Sequence, residues 1–512
     1  MSKKFFIYSL LALGVCFIAS QPVHANPKKN PNVIFIYASD MGKGLLSAYG
    51  QQHFTTPNMD ALINNGVSFS NAYGGSLSAF ARASLLTGYH DCNKNKWRIT
   101  NGGVYVKEDT AYIHANEKFI NGNSIFLPEN DLYLPQVFKK AGYITGQIGK
   151  LGIGNVSSRN QMINYGWDYF YGFLDLVRSE GFYPLFLFEN EQMVLIEGNT
   201  RKDGGRNLTP ETDFTYQERW KMEGKKQYAP DLFIRKIIDF LHECKDNSFF
   251  LMYSTPFPRG PVSVPAVHPE VANNNSLTQV EKEYASMVKY LDDQVGIITK
   301  ELQSLNLAEN TMIVIASDNG HDIHYLQEGR ISRPFVHKKT GELLDNYFNK
   351  YYSANAGDVL NGNAGMAGLK YSNLEGGIRV PLSFYWQGKL KKNVCEEVVT
   401  GYDFLPTMAD LLGINLNSKK DGVSYLPTLM KGKKLSKNRY VIVGSDEGPA
   451  MITNEGWKLR FYNEQKKYEL YNIRKDPEEK YNVILRFPDI AEKLKITLLN
   501  ECNGNVDNGI LY

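Results

Sequence analysis

Ser78 and Arg82 are the residues of this sequence whose types and spacing point most directly to chemistry. They lie four residues apart in a Gly/Ser-rich turn that leads into an apolar segment ending in Thr87-Gly88. Where a turn becomes a helix, backbone N–H groups and the positive end of the helix dipole converge, and this arrangement suits an anion. Taken alone, Ser-x-x-x-Arg fits an ordinary surface turn equally well, so the rest of the sequence decides between the two interpretations.

Three β-branched and aromatic runs are followed by polar residues of the kind that a site at a sheet edge needs. Such continuous runs are typical of buried, parallel strands. Asp40 follows the first run, Asp318-Asn319 follows the last, and a proline-rich loop follows the middle one. The runs are residues 32–38, 248–253 and 311–316.

Amphipathic helical segments alternate with these strands, and the clearest of them spans residues 279–305. Alternating strands and helices predict an α/β sheet, whose ligands gather at the carboxyl ends of the strands. The acidic residues named above fall at such ends. After a helix at residues 403–413, short strands and turns predict a smaller α+β unit that begins near residue 415.

The composition argues against a nucleic-acid-binding protein. The chain has 512 residues, of which 43% are hydrophobic and 22% charged. This length predicts one large domain and a smaller one. The formal net charge is only +3, and no Lys/Arg run stands out. Because nucleic acid recognition needs a concentrated cationic face, we expect no nucleic acid partner.

The first 25 residues have the features of a cleavable signal peptide. Lys3 and Lys4 precede an apolar run at residues 5–20, and Val23-His24-Ala25 provides small residues before cleavage at Asn26. The apolar run is too short for a comfortable membrane span, and no other segment is apolar enough. We therefore expect a periplasmic or secreted protein without a membrane span.

Four cysteines remain after that cleavage. Their scattered positions, without a CxxC pair, argue against a zinc site. An oxidising compartment permits disulfides, and the sequence leaves their pairing open. The cysteines are Cys92, Cys244, Cys395 and Cys502.

A series of motifs runs in order along nearly the whole mature chain. The motifs are PNVIFIYASDMGKG, TTPNMDALINNGVSFSNAY, the LLTG after Arg82, GYITGQIGK, YLDDQVG, IASDNG, LKYSNLEGGIRVP, DFLPTMADLLG and ELYNIRKDPEE. The series resembles the sulfatase family of the alkaline phosphatase superfamily. The resemblance implies an α/β catalytic domain at residues 31–414, with a large, mostly parallel mixed sheet flanked by helices. It also implies a smaller C-terminal α+β subdomain at residues 415–512.

The resemblance assigns roles to four residues that handle the substrate. In sulfatases the nucleophile is a formylglycine made from Cys or Ser in a Cys/Ser-x-Pro/Ala-x-Arg motif. Ser78 matches the converted residue, and Arg82 matches the cation that steadies it. Lys150 and Lys370 match the lysines that grip the sulfate oxygens.

The same resemblance implies a divalent cation, Ca²⁺ in most of the family or else Mg²⁺. Such hard cations take oxygen ligands. Asp40, Asp318 and Asn319 match the ligand positions, and Ser78 completes the set. Outside this framework, Asp40 would be interpreted as a helix N-cap and Asp318-Asn319 as part of a turn.

Four positions depart from the family pattern. Ser39 replaces one of a pair of acidic residues, which leaves the cation one carboxylate fewer. Gly152 and Arg259 stand where the family has histidines, and Phe80 stands where the maturation motif prefers Pro or Ala. A positioned general acid or base contributes ~10²–10⁴-fold in rate, so the loss of two histidines bears directly on catalysis.

Arg259 and three histidines are the candidates to act in place of the lost residues. Arg259 can bind an anion, but with a pKa above about 12 it is a poor proton donor. His268, His321 and His324 are candidate proton donors. Arg259 and His321 are expected to contact the substrate.

Three functions stay open on the sequence. The first is an exported sulfatase that removes sulfate from a sulfated carbohydrate or aryl sulfate, after a formylglycine-generating maturation enzyme has converted Ser78. The second is a catalytically impaired sulfatase fold that binds sulfated glycans. The third is a phosphoester or phosphonate hydrolase that uses unmodified Ser78 as a direct nucleophile.

Overall fold

The computed structural model describes residues 30–93, 131–151, 165–174, 179, 181–190, 192–200, 217, 220–325 and 340–507. The predicted signal peptide (residues 1–25) and Gly152 lie outside the described residues. Within the described ranges, no helix combines the length and the apolar character needed to cross a lipid bilayer.

One ten-stranded sheet forms the body of the molecule, in the spatial order β10-β2-β9-β8-β1-β7-β3-β4-β5-β6. Strands β1 to β10 are Asn32–Ala38, Val67–Tyr73, Ile144–Lys150, Tyr169–Phe173, Phe186–Glu189, Gln192–Leu195, Phe249–Ser254, Thr311–Ser317, Leu382–Trp386 and Asn393–Thr400. The central strands β8, β1, β7, β3 and β4 pair in parallel, as do β10 and β2. The remaining pairs are antiparallel. The central strands therefore all end at the same edge of the sheet.

Hydrophobic core lies on both faces of this sheet. On β1, Ile34 and Ile36 pack into one cluster while Val33 and Phe35 pack into another, and the whole strand is buried. Burial on both faces explains why the central strands read as continuous apolar runs instead of alternating ones.

Helices cover the two faces. In the described residues, helices α1 to α11 are Pro57–Asn65, Ser78–Thr87, Leu134–Lys140, Ala229–Cys244, Pro269–Ala272, Gln279–Ser304, Ser353–Ala356, Glu375–Ile378, Phe404–Leu412, Leu426–Lys431 and Pro488–Glu501. The longest of these, α6, begins at a capping box in which Thr278 and Glu281 each accept a backbone N–H of the other.

The structure confirms the elements predicted around the site. β1 spans residues 32–38 as predicted, and β7 and β8 lie within one residue of the predicted 248–253 and 311–316. Helix α6 ends one residue before the predicted 305. The α/β class, with a large mixed sheet and flanking helices, is confirmed as well.

A second, four-stranded antiparallel sheet lies near the C-terminus. Its strands β11 to β14 are Tyr440–Val443, Ala450–Thr453, Trp457–Tyr462 and Lys467–Asn472. It packs against α11 around a hydrophobic cluster that includes Leu459 and Leu498. The domain boundary at residues 414/415 stays a prediction.

The four cysteines are buried free thiols. Cys92 and Cys502 share the hydrophobic cluster of the second sheet. A hydrogen bond between the two thiols, together with burial, raises the pKa of Cys92. The fold thus brings residues from near the start and the end of the described chain into contact.

Candidate active site

The carboxyl ends of β1 and β8 place two acidic residues side by side. The strands pair in parallel with Ala38 opposite Ser317, so Asp40 and Asp318 leave the sheet together. The backbone N–H of Asp40 donates to Asp318 Oδ1 at 2.9 Å. Asp40 has a left-handed backbone (φ 59°), a conformation that is uncommon outside glycine and concentrates at functional sites.

Helix α2 begins at Ser78, so this hydroxyl lies at the helix N-terminus. Ser78 Oγ donates to Asn319 Oδ1 at 3.2 Å and lies 3.5 Å from Asp40 Oδ1. Arg82 follows four residues later, on the same side of the helix. Its Nη2 donates to Asp318 Oδ2 at 2.9 Å. Helical spacing therefore brings the candidate nucleophile and a guanidinium into one buried pocket.

Four basic side chains surround these carboxylates: Arg82, Lys150, Arg259 and Lys370. Lys370 Nζ lies 2.6 Å from Asp40 Oδ2. Lys150 is the last residue of β3 and is 1% exposed. Within the described part of the chain, Lys150 Nζ and Arg82 Nε and Nη1 are buried without a hydrogen-bond partner.

The electrostatics of the pocket follow from this excess of positive charge. Burial opposes ionisation of Asp40, but Lys370, Arg259 and Lys150 hold its pKa well below the usual value. Burial lowers the pKa of Lys150, and the charges of Arg82 and Arg259 lower it further. For Lys370 the attraction of Asp40 outweighs burial, and its pKa is raised. Buried donors without acceptors, at a positive potential, are arranged for an anion with several oxygens.

The oxygen atoms around Ser78 fit a hard divalent cation. Asp40 Oδ1 and Asn319 Oδ1 both approach the Ser78 hydroxyl, so these three oxygens converge. Asp318 lies beside them, with Oδ1 held by the Asp40 N–H. Carboxylate, amide and hydroxyl oxygens are the ligands that Ca²⁺ and Mg²⁺ select.

Three departures from the family pattern have definite places in the structure. Ser39 donates its hydroxyl proton to Thr255 O at 2.8 Å and accepts from Arg82 Nη2 at 3.2 Å, so it serves as a hydrogen-bonding bridge. Phe80 is 7% exposed and packs into the core cluster that contains Phe35. Arg259 follows β7 and acts electrostatically on the site from that loop.

Two of the candidate histidines are engaged elsewhere. His321 is fully buried, with Nδ1 3.1 Å from the Tyr284 hydroxyl and Nε2 2.7 Å from the Tyr325 hydroxyl. Burial lowers its pKa. His268 accepts a backbone N–H at the start of α5, and its Nε2 lies 3.1 Å from Asp293. Substrate contact by His321 stays a prediction, and these bonds give it no support.

The third histidine, His324, lies at the site together with a residue that sequence reasoning missed, Asp322. The two form an ion pair, with His324 Nε2 3.3 Å from Asp322 Oδ2. Ligand atoms of Asp40, Asp322 and His324 all lie within 4.8 Å of one another. An Asp-x-His pattern that begins three residues beyond Asn319 was the available signal.

Two family models match the chain. The sulfatase model matches residues 31–414, well over half of the sequence. The chain belongs to the sulfatase family. A model of the C-terminal region of N-sulphoglucosamine sulphohydrolase matches residues 362–503, which include the second sheet of this sulfatase.

Individual relatives agree with this assignment. An N-acetylgalactosamine-6-O-sulfatase from Bacteroides thetaiotaomicron is 26% identical over 528 aligned residues, which cover 91% of this chain and 92% of the relative. Arylsulfatase A from Homo sapiens is 24% identical and covers 93% of this chain and 86% of its own. A solved structure described under the metabolism of multiple glycosaminoglycans by Bacteroides thetaiotaomicron has a TM-score of 0.68 at 23% identity, with 93% and 99% of the two chains covered. This last likeness shows the shared fold.

Proposed function

We propose that this sulfatase hydrolyses sulfate esters of carbohydrates, with Ser78 converted to formylglycine and a Ca²⁺ or Mg²⁺ ion beside it. One observation carries the proposal: buried donors of Arg82 and Lys150 have no hydrogen-bond partner in the described part of the chain, next to the Ser78 helix terminus. The non-bridging oxygens of a sulfate group are acceptors for such donors, and bonds between charged partners are the strong ones.

Each residue of the pocket has a task in this proposal. Arg82 and Lys150 hold the sulfate oxygens and stabilise the charge that develops on them, an effect for which one donor is worth ~10²–10³-fold. Lys370 holds Asp40 ionised through their 2.6 Å contact. Residue 78, as formylglycine, supplies a hydrated aldehyde oxygen as the nucleophile toward sulfur.

A divalent cation would be held by the oxygens of Asp40, Asp318, Asn319 and residue 78. When bound, it supplies Lewis-acid polarisation of a sulfate oxygen. Ser39 leaves it one carboxylate fewer than the family pattern, whereas Arg259 adds a positive charge to the anion site. Compared with the family pattern, the site therefore has one negative charge fewer for the cation and one positive charge more for the anion.

The substrate class and location are part of the same proposal. The matched relatives include an N-acetylgalactosamine-6-O-sulfatase, and one matched structure holds k-i-k-neocarrahexaose. We accordingly propose a sulfated carbohydrate as substrate, with aryl sulfates as activated analogues. The signal peptide at residues 1–25 would export the enzyme to the periplasm or the medium, after its encounter with a formylglycine-generating enzyme.

A binder of sulfated glycans without catalysis is the second candidate. Arg259 and Gly152 at the family's histidine positions favour it, because an arginine binds anions and is a poor proton donor. It predicts glycan binding without sulfate release.

Two measurements on protein from the native host test the proposal. The mass of the tryptic peptide ending at Arg82 should be lower by one hydrogen molecule, or equal that of the aldehyde hydrate. Sulfate release from sulfated saccharides should depend on residue 78, with Ser78→Ala as the control. An unmodified serine with no such release would overturn the proposal. Glycan binding would then support the binder, and Ser78-dependent hydrolysis of phosphodiesters would support a phosphoryl enzyme.

A further inference from the structure

His324 and Asp322 form a pair beside the pocket that the proposed roles do not use. Asp322 is 4% exposed, and the His324 side chain is 23% exposed, so the ring lies between the protein interior and solvent. Among the described residues, buried His324 Nε2 makes no hydrogen bond of good geometry, although Asp322 Oδ2 is 3.3 Å away. Nε2 therefore has capacity for a further hydrogen-bond partner.

Gly260 fixes the position of the His324 ring. A Cβ on Gly260 would come within 2.2–2.4 Å of the ring atoms, so the ring rests directly on this glycine. Gly260 follows Arg259, the residue at a lost histidine position. His324 lies on the loop after β8, and its imidazole therefore contacts the loop after β7 next to Arg259.

The charged groups around His324 come from its own loop and from the segments that follow β1 and β7, together with Lys370. Asp322 and His321 share its loop, Asp40 follows β1, Lys370 binds Asp40, and Arg259 follows β7. Burial opposes ionisation of Asp322, but His324 and Lys370 hold its pKa below the usual value. An ionised Asp322 orients the ring through the contact with its Nε2.

We propose that His324, oriented by Asp322, is the general acid that protonates the leaving oxygen of the sulfate ester. This inference rests on the proposed function. As the bond between sulfur and the bridging oxygen breaks, the oxygen keeps the electron pair and takes the proton from His324 Nε2. Water that enters after the product has left returns a proton to Nε2. His324 is the catalytic residue, and Asp322 is a positioning residue.

A second cation at Asp40, Asp322 and His324 is the competing interpretation of the cluster. Asp40 already belongs to the cation site proposed beside Ser78, and Asp322 and His324 alone offer fewer oxygen ligands than that site does. The acid role is therefore the better assignment.

Leaving-group dependence tests the proposal on matured full-length protein. A 4-nitrophenyl leaving group needs little protonation, whereas phenol needs more. His324→Gln should lose ~10²-fold or more in kcat/KM with phenyl sulfate and less than about tenfold with 4-nitrophenyl sulfate. Asp322→Asn should show the same selectivity with a smaller loss, which a merely structural role would not produce.

His268→Gln is the matched control, because His268 also pairs with an aspartate but lies at the start of α5. It should keep both activities. Equal losses on the two esters, or no loss, in His324→Gln would overturn the acid role, as would the loss of a bound metal equivalent. If that variant does not fold, Asp322→Asn decides by the same criterion. Absence of sulfate release from the wild type with either ester would instead defeat the proposed function itself, and this inference with it.

Discussion

Two buried lysines, Lys458 and Lys150, lie in opposite electrostatic surroundings. Lys458 Nζ lies 3.0 Å from Glu375 Oε1 and 2.9 Å from Glu479 Oε1, and none of the three side chains is exposed. Lys150 is 1% exposed, and in the described part of the structure its Nζ has no hydrogen-bond partner. One cation is surrounded by carboxylates, and the other has none in contact among the described residues.

The difference separates a structural charge from a functional one. Lys458 lies on β13 and Glu375 begins α8, so their ion pair ties the second sheet to the main domain. For Lys150, the described residues place no carboxylate in contact, and burying a cation in this way costs several kcal/mol. A bound anion offsets this unfavourable energy, and residues with perturbed pKa values accordingly concentrate at binding sites.

Replacing Lys458 should have the largest effect, and it should fall on stability. Lys458→Met leaves Glu479 buried without its ion-pair partner, beside a Glu375 that keeps its ion pair with Arg379 at 3.2 Å. Breaking a buried pair in this way costs ~3–5 kcal/mol. The measurement is the free energy of unfolding in urea. Lys466→Met is the control, because Lys466 is 61% exposed and pairs with Asp507, so its loss should cost no more than ~1 kcal/mol. Equal stability of the two variants would break the comparison.

Replacing Lys150 should act on turnover instead. Lys150→Met removes a donor to the sulfate oxygens and should lower kcat/KM by ~10²–10³-fold. Its melting temperature should be unchanged or higher, since the substitution also removes repulsion from Arg82 and Arg259. Lys139→Met, at an exposed lysine of α3 paired with Asp168, is the control for both measurements. A large fall in stability without a fall in activity would assign Lys150 a structural role.

Residue runs along single strands predicted much of this architecture. The three apolar runs that precede the site residues are buried on both faces. A strand of this kind can therefore be predicted from its own residues alone. Strand β13 shows the limit. In WKLRFY, Lys458 and Arg460 alternate with apolar residues as on a solvated strand face, yet both are buried. The carboxylates that bury Lys458 come from Glu375 and Glu479, and no local pattern encodes a contact 83 residues away.

The histidines show the same limit within the site. The sequence offered His321 and His324, with His268, as candidate proton donors, and did not distinguish between them. The structure encloses His321 between two tyrosines and leaves His324 on Gly260, beside Asp322. The environment of each ring depends on which distant segment packs against it. A single sequence does not predict that packing.

Anion binding should couple to a proton at Lys150, and this is the smallest of the expected effects. In the free protein, burial and the charges of Arg82 and Arg259 lower the pKa of Lys150. Between the folded and the unfolded pKa of Lys150, the unfolded state therefore binds more protons than the folded state. The free energy of unfolding rises with pH in that range. A bound sulfate attracts the ammonium and raises the folded pKa. Binding in that pH range should therefore take up as much as about one proton per site. Calorimetry of sulfate binding in two buffers with different ionisation enthalpies measures the uptake. Lys150→Met should abolish it, whereas uptake that persists in that variant would place the titrating group elsewhere in the pocket.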